Sequence, residues 1–340
     1  MPVRAAGDTG PPTGEARSWY GFEMGRTPVK IGILGWDHGV MGADGPFGEY
    51  DPEGPVLIEY GRRRGHEMSL FTLEEVTYVP GERGMDVLLG GENGGSFDAI
   101  ISRAKLYGDD WQDGGSEWRD RVERLAMVSA IPGLHVFDPV DVWTTAYSKS
   151  LMLQKLAKAG LPVPPCRSAT TLAEVATALE LWDDIIVKPS YGGRSKGVER
   201  ITDISAQQAV IEELLAGYGT MLCMPFYPTR YGEYRVHVAG DVVAGCALKL
   251  PGPGEWKMRG STGSSFEPID PSDELRDLAL RATRTIGLTL SGLDILPTET
   301  GYVILEVNCT PGFLNSLGDE IHRITMDAIY DWVEKRVAEG

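Results

Sequence analysis

The sequence predicts an α/β protein in three parts: an N-terminal open α/β domain, a small mixed lobe and a larger antiparallel lobe. Three observations predict it. Apolar runs that read as buried strands alternate with helical patterns over the first third of the chain. A Gly-rich segment separates two short strands near the middle, and two strand pairs bracketing turn residues follow toward the C-terminus.

In the first part, residues 29–35 (VKIGILG) form an apolar run ending in glycine, the pattern of a strand buried on both faces. A helix is expected at 55–64, strands at 66–72 and 97–103 (FDAIISR), and a helix at 116–130 with Gly133 beyond its end. The Gly-rich stretches 90–95 and 108–115 read as loops. Residues 1–27 are rich in Gly, Pro, Ala and polar side chains, carry no apolar core of a signal peptide, and read as a disordered leader outside the fold.

In the second part, residues 148–159 (SKSLMLQKLAKA) place apolar side chains at helical spacing, with Ser148 as N-cap and Gly160 and Pro162 as the stop. Residues 185–189 (IIVKP) and 197–201 read as a hairpin, 205–216 as a helix stopped by Gly217, and 221–226 as a strand entering a Pro-bounded link. In the third part, strands 234–239 and 242–250 flank the two-residue turn Gly240-Asp241. Strands 290–297 and 302–308 flank a turn around 299–301, and helices are expected at 273–286 and 320–337. The implied division is a domain over 28–145, a small lobe over 146–226 and a large lobe over 227–340, without an internal repeat.

Composition removes several classes of function. With 42% hydrophobic and 24% charged residues the chain is ordinary for a globular protein. No apolar run approaches the roughly 20 residues needed to cross a bilayer. A net charge of −17 argues against a nucleic-acid partner, so a bound polyanion would require locally concentrated positive charge. Cys166, Cys223, Cys246 and Cys309 are scattered, which argues against structural zinc or a disulfide framework and for a reducing cytoplasm.

Positive charge gathers in residues 190–197 (SYGGRSKG), between two expected strands. Glycine lets a backbone turn its N–H groups onto phosphate oxygens, although such a segment alone is equally a hairpin turn. Lys188 sits in an apolar strand, where an ammonium needs an anion, either a carboxylate or a phosphate. Lys149, at the start of its helix, would reinforce an anion-attracting N-terminus or be a solvated surface lysine. Glu306 and Asn308 are two apart on one strand and so face the same side. If the 299–301 turn is a three-residue loop with Gly301 left-handed, Asp294 lies opposite Glu306, and three oxygen-bearing side chains converge. Such a set suits a hard cation such as Mg²⁺; the other reading leaves both carboxylates on an exposed sheet edge. Glu233, Arg235 and His237 alternate on one face, as a surface ion pair with a structural histidine or as a phosphate-holding arginine with a nearby carboxylate. Lys257 and Arg259 could reach the same place.

These residues, in this order, resemble the ATP-grasp superfamily, and most closely its RimK-type carboxylate–amine (glutamate) ligases. The similarity spans about 97–312 and rests on SKSLMLQKLAKAGLPVP, IIVKPSYGGRSKGV, GEYRVHVAGDVVA and GLDILPTETGYVILEVNCTPG. It implies the ATP-grasp fold, with an open α/β lead domain ahead of two lobes that clasp ATP. It also implies that Lys149 and Lys188 contact the ATP phosphates and that the loop with Tyr191, Gly192, Gly193, Ser195 and Gly197 closes over them. Met224 through Tyr227 resembles the adenine-recognising hinge, and Glu233 the ribose contact. Asp294, Glu306 and Asn308 match the magnesium ligands, and Arg235, Arg259 and Lys188 would act on the transferred phosphate. The chain departs from the common pattern at Ser148 and at Met224-Pro225, where an acidic residue and a Gln-Glu pair are usual. Proline has no N–H, so the adenine donor is expected to be the amide of Phe226 or Tyr227.

The resemblance implies an enzyme that uses ATP and Mg²⁺ to convert a carboxylate to an acyl-phosphate and join it to an amine. Its partners would be small-molecule carboxylate and amine substrates, amino acids or a short peptide with glutamate among them, and homo-oligomers are common in the family. Intramolecular cyclisation of one amino-acid-like substrate and a non-catalytic ATP-binding regulator are the alternatives. Substrates would be selected around 36–48, 103–113 and 255–265, with Arg103 and Lys105 as carboxylate binders or as exposed salt-bridge residues.

Overall fold

The computed structural model describes residues 27–35, 53–82, 84–106, 117–193, 195–258, 264–312 and 319–340. Its elements are, in order, β1 (Lys30–Gly35), α1 (Glu53–Arg63), β2 (Glu67–Thr72), β3 (Val76–Gly81), β4 (Gly84–Leu89), β5 (Glu92–Asn93), β6 (Ala99–Ser102), α2 (Glu117–Ser129), β7 (His135–Phe137) and α3 (Val140–Tyr147). They continue with α4 (Lys149–Lys158), β8 (Arg167–Ala169), α5 (Leu172–Trp182), β9 (Ile185–Pro189), β10 (Glu199–Ile201), α6 (Ile204–Tyr218) and β11 (Met221–Pro225). The last are β12 (Glu233–Ala239), β13 (Val242–Leu250), β14 (Ser265–Pro268), α7 (Asp273–Ile286), β15 (Leu290–Thr298), β16 (Gly301–Asn308) and α8 (Asp319–Glu339).

The N-terminal sheet is parallel, in the order β2-β1-β6-β7, and its central strand is apolar on both faces as expected of such a sheet. Ile31 and Ile33 pack with Leu57 of α1 and with Met326, Ile329 and Tyr330 of α8; Leu34 faces the other way, toward Phe71, Ile100 and Trp143. Gly32 is required by close approach: a Cβ there would lie 2.6 Å from the Phe71 ring and 2.7 Å from Ile100. The stretch 84–96, expected in part to be a loop, holds strands of a three-stranded meander, β3-β4-β5. Helix α8 also packs against β12 and β13, tying the N-terminal sheet to the last one.

The second sheet is antiparallel, β10-β9-β11-β8, with α5 and α6 covering one face through Val175, Ala178, Ile211 and Leu214. Ser148 caps α4 as expected, its hydroxyl accepting from the Leu151 amide at 3.3 Å. Helix α6 runs past Gly217 and stops at Gly219, whose φ of 68° is positive, a backbone setting that glycine accepts most readily. The third sheet, β14-β13-β12-β15-β16, turns Val236, Cys246, Leu293, Ile295, Ile304 and Val307 toward a core closed by α7 and α4. Among the described residues no helix is long and apolar enough to cross a membrane.

Where β7 ends, Asp138 is buried and accepts the Thr289 amide at 2.9 Å on both carboxylate oxygens. Burial outweighs those hydrogen bonds and pushes its carboxyl up from 3.8 to about 7. An acid with a raised folded-state pKa favours the fold at low pH and loses that contribution as pH climbs through the folded value. Asp138→Asn should therefore be the more stable protein at pH 8, by up to about 4 kcal/mol, and the difference should shrink at pH 5. Denaturant midpoints at the two pH values measure it.

Candidate functional site

The third sheet has two unlike faces. Opposite its apolar face, Glu233, Arg235 and His237 of β12, Lys249 of β13, Asp294 of β15, and Glu306 and Asn308 of β16 share the other side, as their cross-strand registers require. Two bulges produce this. In β13, His237 pairs with Gly245 and Val238 with Val243, so Ala244 is an extra residue. In β16, Asp294 pairs with Glu306 and Ile295 with Ile304, so Leu305 is extra. A one-residue insertion inverts strand parity, and each bulge turns the charge downstream of it, Lys249 or Glu306, out of the core. Asp294 lies opposite Glu306 as expected, but the extra residue is in the strand. The turn itself holds two residues, Glu299 and Thr300, since Thr298 pairs with Gly301.

The charged face looks across a cavity of about 500 Å³ at the second sheet, which contributes Ile186, Lys188 and Met224. Lys188 is buried, with Val187 turned into the core behind it. Lys149 is buried as well, not a solvated surface lysine; its Nζ donates to the Gly192 carbonyl and pairs with Glu306 Oε1 at 3.2 Å. The start of α4 is anchored on the Gly-rich segment, with the Lys149 amide donating to Ser190 O at 2.9 Å. Gly192, Gly193, Ser195 and Lys196 line the cavity, while Gly197, with φ of 65°, abuts the Tyr218 ring. Tyr191 is half-buried in the same segment.

Glu233 pairs with Lys249 rather than Arg235. Lys249 also reaches Asp294 Oδ1 at 2.8 Å, and Arg235 Nε lies 3.3 Å from the same oxygen. Asn308 donates to Asp294 Oδ2 at 3.3 Å and to Gly292 O at 3.1 Å. Gly292 has no room for a side chain: a Cβ would meet Pro311 at 2.7 Å and Arg235 Nη1 at 3.2 Å. Burial acts to raise the Asp294 carboxyl, but Arg235 and Lys249 outweigh it and hold it well below the usual carboxylate range. Burial and the Asp294 charge push Glu233 up, so the two carboxylates divide into one firmly ionised and one readily protonated. Burial pushes Lys188 down from 10.5 to about 8, with Lys149 adding to the effect and Glu306 opposing it. His237 is buried and kept neutral, its value lowered to about 4 by burial and by Arg235.

Two carboxylates beside an asparagine, whose amide here donates to Asp294 and would turn to offer its oxygen, suit a hard, oxygen-binding cation. Among the described residues no group of three His, Cys, Asp or Glu is placed to hold a metal without the Asn308 amide. Both carboxylates are neutralised by lysines that line the same cavity, which shows how strongly the place calls for positive charge.

At the other end the walls are apolar, with Ile186, Val198, Met224, Leu296 and Leu305. Strand β11 of the second sheet ends there at Pro225. The Phe226 amide, one of the two expected donors, is already used: it donates to Asp184 O at 2.9 Å. The Tyr227 amide has no hydrogen-bond partner among the described residues and is the donor that remains. Arg259 and Arg194 lie outside the described residues. Arg103 is not an exposed salt-bridge residue: it is 1% accessible and pairs with Glu53 at 3.3 Å. Lys249, Leu296 and Leu305 were not anticipated, and Trp256 falls in the 255–265 stretch expected to select substrates. A lone lysine in the apolar run VVAGCALKL carried the same signal as Lys188.

A family model, the RimK-like ATP-grasp domain, matches residues 146–328. The chain belongs to the RimK-like ATP-grasp family. It is an ATP-dependent ligase of the carboxylate–amine class. A curated relative, the probable alpha-L-glutamate ligase 2 of Shewanella sp. (strain W3-18-1), is 24% identical over 286 residues, covering 83% of this chain and 91% of that protein. The ATP-grasp ligase PsnB, solved with a minimal precursor, superposes with a TM-score of 0.67 at 23% identity over 90% of this chain and 99% of its own. The same ligase has also been solved with Mg and ADP. D-cycloserine synthetase DcsG gives 0.64 at 20% identity, covering 91% and 99%. In this chain two facing sheets line the cavity.

Proposed function

We propose that this ligase couples ATP hydrolysis to the joining of two amino acids, with glutamate as one partner, through an acyl-phosphate. The observation that carries the reading is the convergence of Lys149, Lys188, Lys249 and Arg235 with Asp294, Glu306 and Asn308 on one cavity whose far end is apolar. A triphosphate needs concentrated cations and a purine needs an apolar slot, and this cavity offers both in an otherwise acidic protein.

In this reading residues 28–145 select substrate, and 146–226 and 227–340 are the lobes that hold ATP. Lys149, Lys188 and the amides of the 191–197 loop neutralise the phosphates, Glu233 accepts from the ribose, and Tyr227 donates to adenine. A substrate carboxylate oxygen attacks the γ-phosphorus and ADP leaves. Arg235 and Lys188 offset the charge that develops on the transferred group. The amine then attacks the acyl carbon and expels phosphate, losing its proton to give the amide. Asp294, Glu306 and Asn308 would hold Mg²⁺, which when bound neutralises phosphate oxygens. The glutamate preference is taken from the curated relatives. The scattered cysteines and the reducing compartment they imply support a cytoplasmic site of action.

The test is ADP release from ATP and Mg²⁺ in the presence of amino acids, supplied singly and in pairs, with product masses read. Two required components and a product equal to their sum less water are expected. A single component losing water would replace joining by cyclisation, and ADP release indifferent to any amine would overturn the ligase reading.

A further inference from the structure

The cavity is also lined by a residue that lies on neither sheet. Trp256 follows β13, and its ring meets Phe226 edge-on, with centroids 5.8 Å apart and planes at 89°. Phe226 is itself fixed. Its amide is bonded to Asp184, and the Arg200 guanidinium lies 3.9 Å over its ring while holding both Asp184 oxygens at 2.8 and 2.6 Å. Next to Trp256, Lys257 pairs with Glu199 of β10 at 2.9 Å, so this extension of the third sheet is pinned to the second. Trp256, Lys257 and Met258 all line the cavity.

The hinge offers few hydrogen-bond donors to a base. Pro225 has no N–H, the Phe226 amide is occupied, and neither Met224 nor Pro225 carries a polar side chain. One amide, that of Tyr227, is left. With one N–H donor on offer, a flat aromatic base gains much of its hold through its faces, which an indole covers well.

We propose that Trp256 is the specificity residue of the nucleoside subsite, covering the face of a purine and held there by the Lys257–Glu199 pair. The inference rests on the reading of the cavity as a nucleoside triphosphate site. Because contact area with the ring is what it provides, it favours purine over pyrimidine triphosphates.

The experiment is steady-state ADP or CDP release by the full-length protein with ATP or CTP, together with direct titration of a fluorescent ATP analogue. Trp256→Ala should raise KM for ATP about 10- to 30-fold, the range expected for loss of one base–aromatic stack, with kcat kept within about threefold. Its preference for ATP over CTP should fall by a similar factor, and Trp256→Phe should restore most of both. Glu199→Gln and Lys257→Met should each raise KM for ATP about threefold to fivefold, and the double variant no further, as for two halves of one pair. An unchanged KM for ATP in Trp256→Ala, or a fall in kcat alone, overturns the proposal. If the wild-type protein binds the analogue yet turns over with no amine, the ligase reading fails and the titration still decides the role of Trp256.

Discussion

Lys188→Met is expected to slow turnover by two to three orders of magnitude, on the order of what removing one transition-state charge costs, while making the fold more stable. The ammonium is buried, and its value falls from 10.5 to about 8 because desolvation disfavours the charge more than Glu306 and Asp294 favour it. At neutral pH the folded state therefore carries a charge that the unfolded state holds more comfortably. That penalty is present below pH 8 and disappears as pH rises through 10.5. Methionine has a similar length and no charge to desolvate, so the variant should gain up to about 3 kcal/mol at pH 7 and lose the advantage near pH 10.5. Activity should move the other way, by on the order of 10²- to 10³-fold in kcat, as expected when a charge aimed at a transferred phosphate is removed. Unfolding curves across that pH range and ADP release at pH 7 give both signs. A destabilised variant would identify Lys188 as a structural ion-pair residue instead.

Glu306→Gln should have a comparable effect on rate by a different route. The substitution keeps the shape of the side chain and removes one of the two carboxylates beside Asn308. It also leaves the buried Lys149 without its partner at 3.2 Å. ADP release should fall on the order of 10²-fold or more, and the Mg²⁺ concentration for half-maximal rate should rise at least about tenfold, since second-row oxygen ligands act by charge as well as geometry. Because Lys149 is buried and keeps the Gly192 carbonyl but loses the carboxylate, the unfolding free energy should fall by about 1 to 3 kcal/mol. A variant with unaltered Mg²⁺ dependence would remove Glu306 from the cation site.

Both residues were legible in the sequence, and the reasons differ. Lys188 stands out because an apolar five-residue strand has no use for an ammonium, and the strand formed as its pattern requires. Glu306 stood opposite Asp294 in the expected register, but through a compensating error: a three-residue loop and a two-residue loop followed by a bulge place the same residues across from each other. Lys249 shows what happens without such compensation. Counting back from the two-residue turn at Gly240-Asp241 pairs Glu233 with Leu248 and sends Lys249 to the core side. The bulge at Ala244 reverses that, and the local hint in the run VVAGCALKL is its interior Gly245, which marks a bulge in some strands and an ordinary weak position in others. Parity in a strand is a global count, so one unannounced residue moves every side chain beyond it. The meander β3-β4-β5 and the short strand β8 were missed for a simpler reason, since runs of two to six residues with mixed polarity carry no periodic signal. Phe226 could not be separated from Tyr227 as donor because the decision lies in the pairing of its amide with Asp184, forty-two residues earlier in the chain.

The central claim is that a substrate carboxylate takes the γ-phosphoryl group. It is tested most directly by supplying glutamate, or whichever acid supports turnover, labelled with ¹⁸O in its carboxylates and measuring the mass of the phosphate released. Attack by the carboxylate carries one labelled oxygen through the acyl-phosphate into inorganic phosphate, so phosphate heavier by one ¹⁸O per turnover is expected, with ADP as the other product. Unlabelled phosphate, or AMP and pyrophosphate in place of ADP and phosphate, would contradict the account.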